Sequence, residues 1–283
     1  MSPVRTFALT ALVMTAFAAN SLLCRLALKN TTIDAASFTA IRLISGAFVL
    51  WLVTRRRSNT EAGQGNWLSA LALFVYAAAF SFAYASLPVG TGALMLIGAV
   101  QATMIGYGIW SGERLRTLQL VGLALALGGL SGLLLPGASA PPLAGSTLMI
   151  SAGIAWGIYS LRGKSAGDPT RVTAGNFLRA APVAIALSLF MLMFKGASLD
   201  TAGFWYALTS GALMSGIGYV IWYAVLPALK VTHAATAQLS VPVIAALGGI
   251  VFLGEPVTLR LGLASVALLG GIALVVLQKR TAS

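Results

Sequence analysis

The chain has 283 residues, of which 58% are apolar and only 8% are Lys, Arg, Asp or Glu; an average soluble protein carries about 25% charged residues, so this chain cannot cover itself as a water-soluble globule. Eighteen basic and six acidic residues leave a net charge of +12, but the basic ones punctuate long apolar runs instead of sharing one charged face, which argues against a nucleic-acid partner. One cysteine, Cys24, excludes an internal disulfide framework and a multi-thiolate metal site.

Apolar stretches of about 20 residues are long enough to cross about 30 Å of hydrocarbon, and here they follow one another almost without interruption. The pattern predicts an all-α integral membrane protein with ten spans, near residues 6–28, 36–54, 67–87, 90–110, 117–135, 143–162, 173–194, 201–226, 234–253 and 260–277. Arg5 before an apolar run with Ala16 and Ala18 resembles a cleavable signal. The run nevertheless continues to Leu28 and has a counterpart later in the chain, so it is read as a span. The longest connection, Arg55 to Asn66, leaves no room for a soluble domain.

With the N-terminus inside, Arg5, Arg55, Arg56, Arg57, Arg114, Arg116, Arg162, Lys164, Arg171, Lys230, Lys279 and Arg280 fall on the cytoplasmic side. Lys29, Lys195 and Arg260 fall on the other, and Arg25, Arg42 and Arg179 within spans. The positive-inside bias therefore predicts cytoplasmic termini.

The two halves repeat each other. Arg25 and Arg162 are 137 residues apart, as are Arg42 and Arg179; Trp67 and Trp205 differ by 138, Tyr84 and Tyr223 by 139, and Gly112-Glu113 and Gly254-Glu255 by 142. Two copies of five spans, residues 1–138 and 139–283, enter the membrane from opposite sides because five is odd. Inverted repeats of this kind recur in secondary transporters, which hold substrate near the midplane between the copies.

The Gly-Glu pairs after spans four and nine, Pro242-Val243 in span nine, the glycine-rich spans five and ten and Ala155-Trp156-Gly157-Ile158-Tyr159 resemble the EamA branch of the drug/metabolite transporter superfamily, over essentially the whole chain. Length, span number and the aromatic third and eighth spans are similar to those of bacterial inner-membrane amino-acid exporters. The resemblance implies a transporter that exports aromatic and other large neutral amino acids. Pro242 aligns with Val100, so the doubled pattern is imperfect.

All six carboxylates, Asp34, Glu61, Glu113, Asp168, Asp200 and Glu255, fall in or beside loops, and the one histidine, His233, lies where span nine begins. Proton-coupled carriers hold Asp, Glu or His within their spans, so uncoupled, facilitated transport is expected. The same scarcity argues against an enzyme and against any cofactor or metal. Candidates to contact a substrate are Asn20, Ser81, Gln101, Ser215 and Gln238, the polar groups near mid-span, with the rings of Tyr76, Phe80, Tyr84, Trp156, Tyr159 and Tyr219. Tyr76, Phe80 and Tyr84 are spaced i, i+4, i+8, which places three rings on one helix face, and such rings suit an ammonium group beside an apolar side chain.

Arg42 and Arg179, about six residues or 9 Å inside their spans, either attract a substrate carboxylate at opposite mouths or, the favoured reading, snorkel to headgroups or pair with helix-end carbonyls. Arg25 and Arg162 are expected to anchor helix ends at the interface. Gly98-Ala102-Gly106, Ala207-Gly211-Ser215 and Gly128-Gly132 are expected to let helices approach closely. Two alternatives stay open: another cargo, such as a drug, nucleotide-sugar or other metabolite, and a passive channel, which shows neither saturation nor counterflow. The sequence leaves oligomeric state open; the expected partners are a small-molecule substrate and the lipid bilayer.

Overall fold

A computed structural model describes every residue except 56–64, 113, 138–139, 164–167, 197, 230 and 279–283, and all side chains but those and 195, 231, 232 and 278. Glu61, Glu113, half of the expected cytoplasmic set (Arg56, Arg57, Lys164, Lys230, Lys279 and Arg280) and the boundary between the two halves lie outside the described residues.

The described residues form helices and no strand, as lipid demands, because in hydrocarbon every backbone N–H and C=O must find a partner within its own segment or a closed barrel. The first seven spans are single helices: α1 (Pro3–Asn30), α2 (Ala35–Arg55), α3 (Trp67–Tyr84), α4 (Val89–Trp110), α5 (Thr117–Leu134), α6 (Leu143–Gly163) and α7 (Pro169–Lys195). Ends follow local chemistry. The side chains of Ser2, Asn66, Asp168 and Asp200 accept from the first free N–H groups of their helices, the usual cap, and Pro3 and Pro169 occupy the first helical position, where no N–H is needed. The third span stops at Tyr84, three residues before the expected Leu87, because Pro88 disfavours helical backbone at the residue before it.

The eighth span is composite: α8 (Thr201–Thr209), a π-helical segment (Ser210–Ile217), α9 (Gly218–Val225) and a 3-10 turn (Leu226–Ala228). The ninth is broken into α10 (Val231–Gln238) and α11 (Ser240–Leu253). Pro242 explains the break, since it has no N–H for the carbonyl of Gln238 and its ring crowds that carbonyl. Ser240 compensates locally by donating its hydroxyl to Ala237 O at 2.6 Å. The tenth span is α12 (Leu259–Gln278).

Partners are exchanged between halves. α1 packs against the eighth span and α11, whereas α6 packs against α3 and α4; α2 lies on α7, α4 on α11, and α5 on α12. Backbones approach closely between α5 and α12, where a Cβ on Gly122 would stand 2.6 Å from Gly271 O and one on Gly271 would stand 2.4 Å from Gly122 O. Gly129 is likewise packed, but Gly128, Gly132 and Gly106 meet nothing within 4 Å. The expectation of close approach at those three is corrected: the rotation of α5 turns Gly122 and Gly129 to the partner. Gly128 and Gly132 instead line an apolar groove of about 790 Å³ between α5 and α12.

Candidate functional site

Where α1, α2, α3 and the π-helical segment meet, the bundle buries a polar knot. Ser210 donates to Asn20 Oδ1 at 2.7 Å, Asn20 Nδ2 donates to Ser215 Oγ at 3.3 Å, and Arg42 Nε donates to the same Ser215 Oγ at 3.4 Å. Arg42 Nη2 reaches Tyr76 OH at 3.2 Å. The π-helix makes this possible. In an α-helix residues five apart point about 140° from each other, whereas the wider π turn, frequent at functional sites, brings Ser210 and Ser215 to the same neighbour. Gly211 between them lets the eighth span touch α2, since a Cβ there would lie 2.0 Å from Ser45 Oγ and 2.2 Å from Arg42 O.

Aromatic rings wall the knot. The guanidinium carbon of Arg42 lies 4.9 Å from the Phe80 ring centroid and 5.4 Å from that of Tyr76. Trp156 is the hub: its ring is 4.7 Å from Tyr76, 5.2 Å from Tyr159 and 5.7 Å from Tyr219, the last two stacked. Phe177 meets Tyr219 at 6.0 Å and Tyr223 stacks on it at 6.2 Å. Below these rings a second chain of hydrogen bonds runs from Asn176 to Tyr159 OH, from Tyr159 OH to Thr173 and from Thr173 to Tyr223 OH, at 3.4, 3.3 and 3.2 Å. The rings come from α3, α6, α7 and the eighth span, so both halves of the chain contribute.

The arrangement can receive a small organic molecule: flat apolar walls for a side chain, hydroxyl and amide groups at one edge, and one fixed positive charge. Residues 143–277 match the EamA-like transporter family. A Pseudomonas aeruginosa protein described as uncharacterized is 58% identical over 274 residues, spanning 96% of this chain and 94% of its own. The chain carries an EamA-like transporter family domain. A solved crystal structure aligns over 99% of this chain and 100% of its own with a TM-score of 0.66 at 18% identity, which speaks to the fold.

This EamA-like transporter is a multi-pass membrane protein for a small molecule, and its candidate residues divide. Asn20, Tyr76, Phe80, Trp156, Tyr159, Ser215 and Tyr219 come together as described. Tyr84 does not join them: it is fully buried, with its hydroxyl donating to Val89 O at 3.3 Å and its ring on Phe80. Ser81 turns back to Ala77 O of its own helix at 2.9 Å. Gln101 faces a crevice between α4, α5 and α12, and Gln238 ends α10 at the break of the ninth span. His233, near the start of α10, is exposed. Among the described residues no group of three His, Cys, Asp or Glu side chains converges on a metal position.

Two arginine expectations are corrected. Arg42 does not snorkel: it is 2% exposed, because α2 is wrapped by α7, α3 and the eighth span and leaves its side chain no path to a headgroup. Arg25 is no interfacial anchor. It donates to Tyr84 O and Ala85 O at 2.8 and 2.9 Å and pairs with Glu255 at 3.6 Å, while Glu255 Oε2 accepts from Val89 N at 2.7 Å. One carboxylate thus caps the start of α4 and ties α1, α3, α4 and α11 together. Arg162 clasps α3, donating to Ser69 Oγ at 3.2 Å and Asn66 Oδ1 at 3.3 Å. Arg179 donates to Gly175 O of its own helix at 3.0 Å.

Sequence reasoning left out Ser210 and Phe177, and weighed Arg42 as a carboxylate receptor without favouring it.

Proposed function

We propose that this EamA-like transporter exports aromatic and other large neutral amino acids across a bacterial inner membrane, both termini being cytoplasmic, and that it does so without ion coupling. The observation that carries the reading is the ring cluster around Trp156, built from spans of both halves and edged by Asn20, Ser215 and Arg42. An aromatic side chain stacks among such rings at centroid distances of about 4.5–7 Å, and an ammonium group finds ring faces for cation–π contact. The rings touch one another here, so a substrate enters by parting them; Trp156, partly exposed and contacting three others, is the ring placed to swing.

Alternating access follows if residues 1–138 and 139–283 are inverted copies that rock about this cluster. The exchanged packing, α1 on the eighth span and α11 against α6 on α3 and α4, supports that reading. Absence of coupling rests on the site's chemistry. The charge at the knot is a guanidinium, which stays protonated at any physiological pH, and the ion pair of Arg25 with Glu255 serves to join helices.

The test is counterflow in proteoliposomes preloaded with unlabelled phenylalanine, tryptophan or leucine, followed with labelled substrate. Saturable exchange that an imposed pH gradient or membrane potential does not drive above equilibrium is expected. Accumulation driven by the pH gradient and lost in His233→Ala or Glu113→Gln would refute the uncoupled mechanism, and absence of exchange with every amino acid would refute the cargo.

A further inference from the structure

Arg42 has an account that does not close. A guanidinium offers five N–H donors and no acceptor. Nε is spent on Ser215 and Nη2 on Tyr76, both neutral acceptors, and Nη1 is buried without a partner. No described carboxylate lies within ion-pair distance of it. A charge taken out of water is retained only when paired and hydrogen-bonded, and the quadrupoles of the Tyr76 and Phe80 faces supply a fraction of what a counter-ion does.

The other arginines within spans or at their ends differ. Arg25 has its carboxylate, and Arg162 and Arg179 have oxygen acceptors at 3.0–3.3 Å. What distinguishes Arg42 is a buried donor edge beside the ring cluster, while the described acidic residues, Asp34, Asp168, Asp200 and Glu255, lie at helix ends. Held on Ser215 and Tyr76, with Gly211 pressing the eighth span against its backbone, the fork is set in one orientation.

We infer that Arg42 is the receptor for a carboxylate on the transported molecule, and that the cargo is a monocarboxylate with an aromatic or large apolar body whose amine is dispensable. This rests on the exporter reading and sharpens it. The carboxylate supplies the acceptors that Nη1 lacks, through the bidentate geometry that matches guanidinium to carboxylate; the body lies among Phe80, Tyr76 and Trp156. An amine lacking the carboxylate brings a second positive charge to a buried positive charge. A second carboxylate or a phosphate has no further cation in the knot to meet it. An amino acid is therefore held by its acid end, its ammonium resting on ring faces.

The test uses the purified full-length protein and a matched set: phenylalanine, hydrocinnamate (the same body with carboxylate and no amine) and phenethylamine (amine and no carboxylate). Binding is read by intrinsic tryptophan fluorescence in detergent, transport by counterflow in proteoliposomes. Hydrocinnamate is expected to bind within about tenfold of phenylalanine and to exchange for it, and phenethylamine to do neither. Arg42→Gln is expected to weaken hydrocinnamate by at least about tenfold, and Arg42→Lys, which keeps the charge and loses the fork, to fall between. Phenethylamine matching phenylalanine in wild type, a result that needs no variant, would overturn the inference while leaving the exporter reading standing. So would a folded Arg42→Gln with unchanged hydrocinnamate binding. Hydrocinnamate exchange without exchange of any amino acid would refute the amino-acid cargo and retain the carboxylate site; absence of Arg42-dependent binding of either acid would overturn the site.

Discussion

Replacing Gly211 by alanine is the sharpest structural test of the knot. The added Cβ would stand 2.0 Å from Ser45 Oγ, 2.2 Å from Arg42 O and 2.8 Å from Arg42 C. Ordinary non-bonded carbon contacts begin near about 3.5 Å, so the two helices must part by more than about 1 Å, and rotating Ser45 does not help because the other obstacle is backbone. Overpacking of this kind costs about 1–3 kcal/mol, here at the upper end because a main chain must move. The same displacement carries Ser215 away from Arg42 Nε, already at 3.4 Å, and so removes one of the two bonds that orient the guanidinium. Gly128→Ala is the matched control: nothing lies within 4 Å of that position, and alanine in a helix interior is favoured over glycine by about 0.5–1 kcal/mol. Thermal unfolding of the detergent-solubilised protein should fall for Gly211→Ala and hold or rise for Gly128→Ala, with counterflow lost in the first alone. A Gly211→Ala protein as stable and as active as wild type would refute the close contact between α2 and the eighth span and the geometry of the knot with it.

Glu255→Gln keeps an oxygen for Val89 N and strands Arg25, so it should cost about 2–3 kcal/mol; Arg25→Gln with Glu255→Gln should cost less than the sum, and additivity in the double-mutant cycle would deny the pairing. Pro242→Ala restores an N–H for Gln238 O and should protect the amides around Leu239 from hydrogen exchange while slowing counterflow, whereas unchanged exchange at the junction would show that proline is not the cause of the break. Trp156→Ala should weaken aromatic substrates by about 0.5–1.5 kcal/mol of ring-pair geometry beyond lost area, visible as a raised half-saturation for tryptophan with near wild-type thermal stability; an unaltered half-saturation would remove this ring from the site.

How much was legible is best seen by comparing particular residues. The ten spans could be read to within a few residues because hydrocarbon imposes length and apolarity on each segment separately, a one-dimensional constraint. The stripe of Tyr76, Phe80 and Tyr84 was legible for the same reason, since a helix repeat is local. Membership of the stripe did not say that Tyr84 would be locked onto Val89 while Tyr76 turned its hydroxyl to Arg42; that depends on which helices lie opposite each end of α3.

The sequence by itself determined the solvent, the number of spans, the recurrence of features between halves and the family, all carried by composition and spacing. The tertiary structure alone decided what the charges do. Along the chain Arg25 and Arg162 read as helix-end anchors and Arg42 and Arg179 as residues a short way inside their spans, and arginine so near a membrane edge is ordinarily free to reach water. Packing separated them. Arg25 met Glu255, which lies 230 residues later, Arg162 met the start of α3, Arg179 kept to its own helix, and Arg42 was enclosed by three neighbours with Nη1 left unpaired. A side chain's access to water is a property of the helices around it, and no local pattern in α2 records that a π-helical segment from the other half of the chain closes over it.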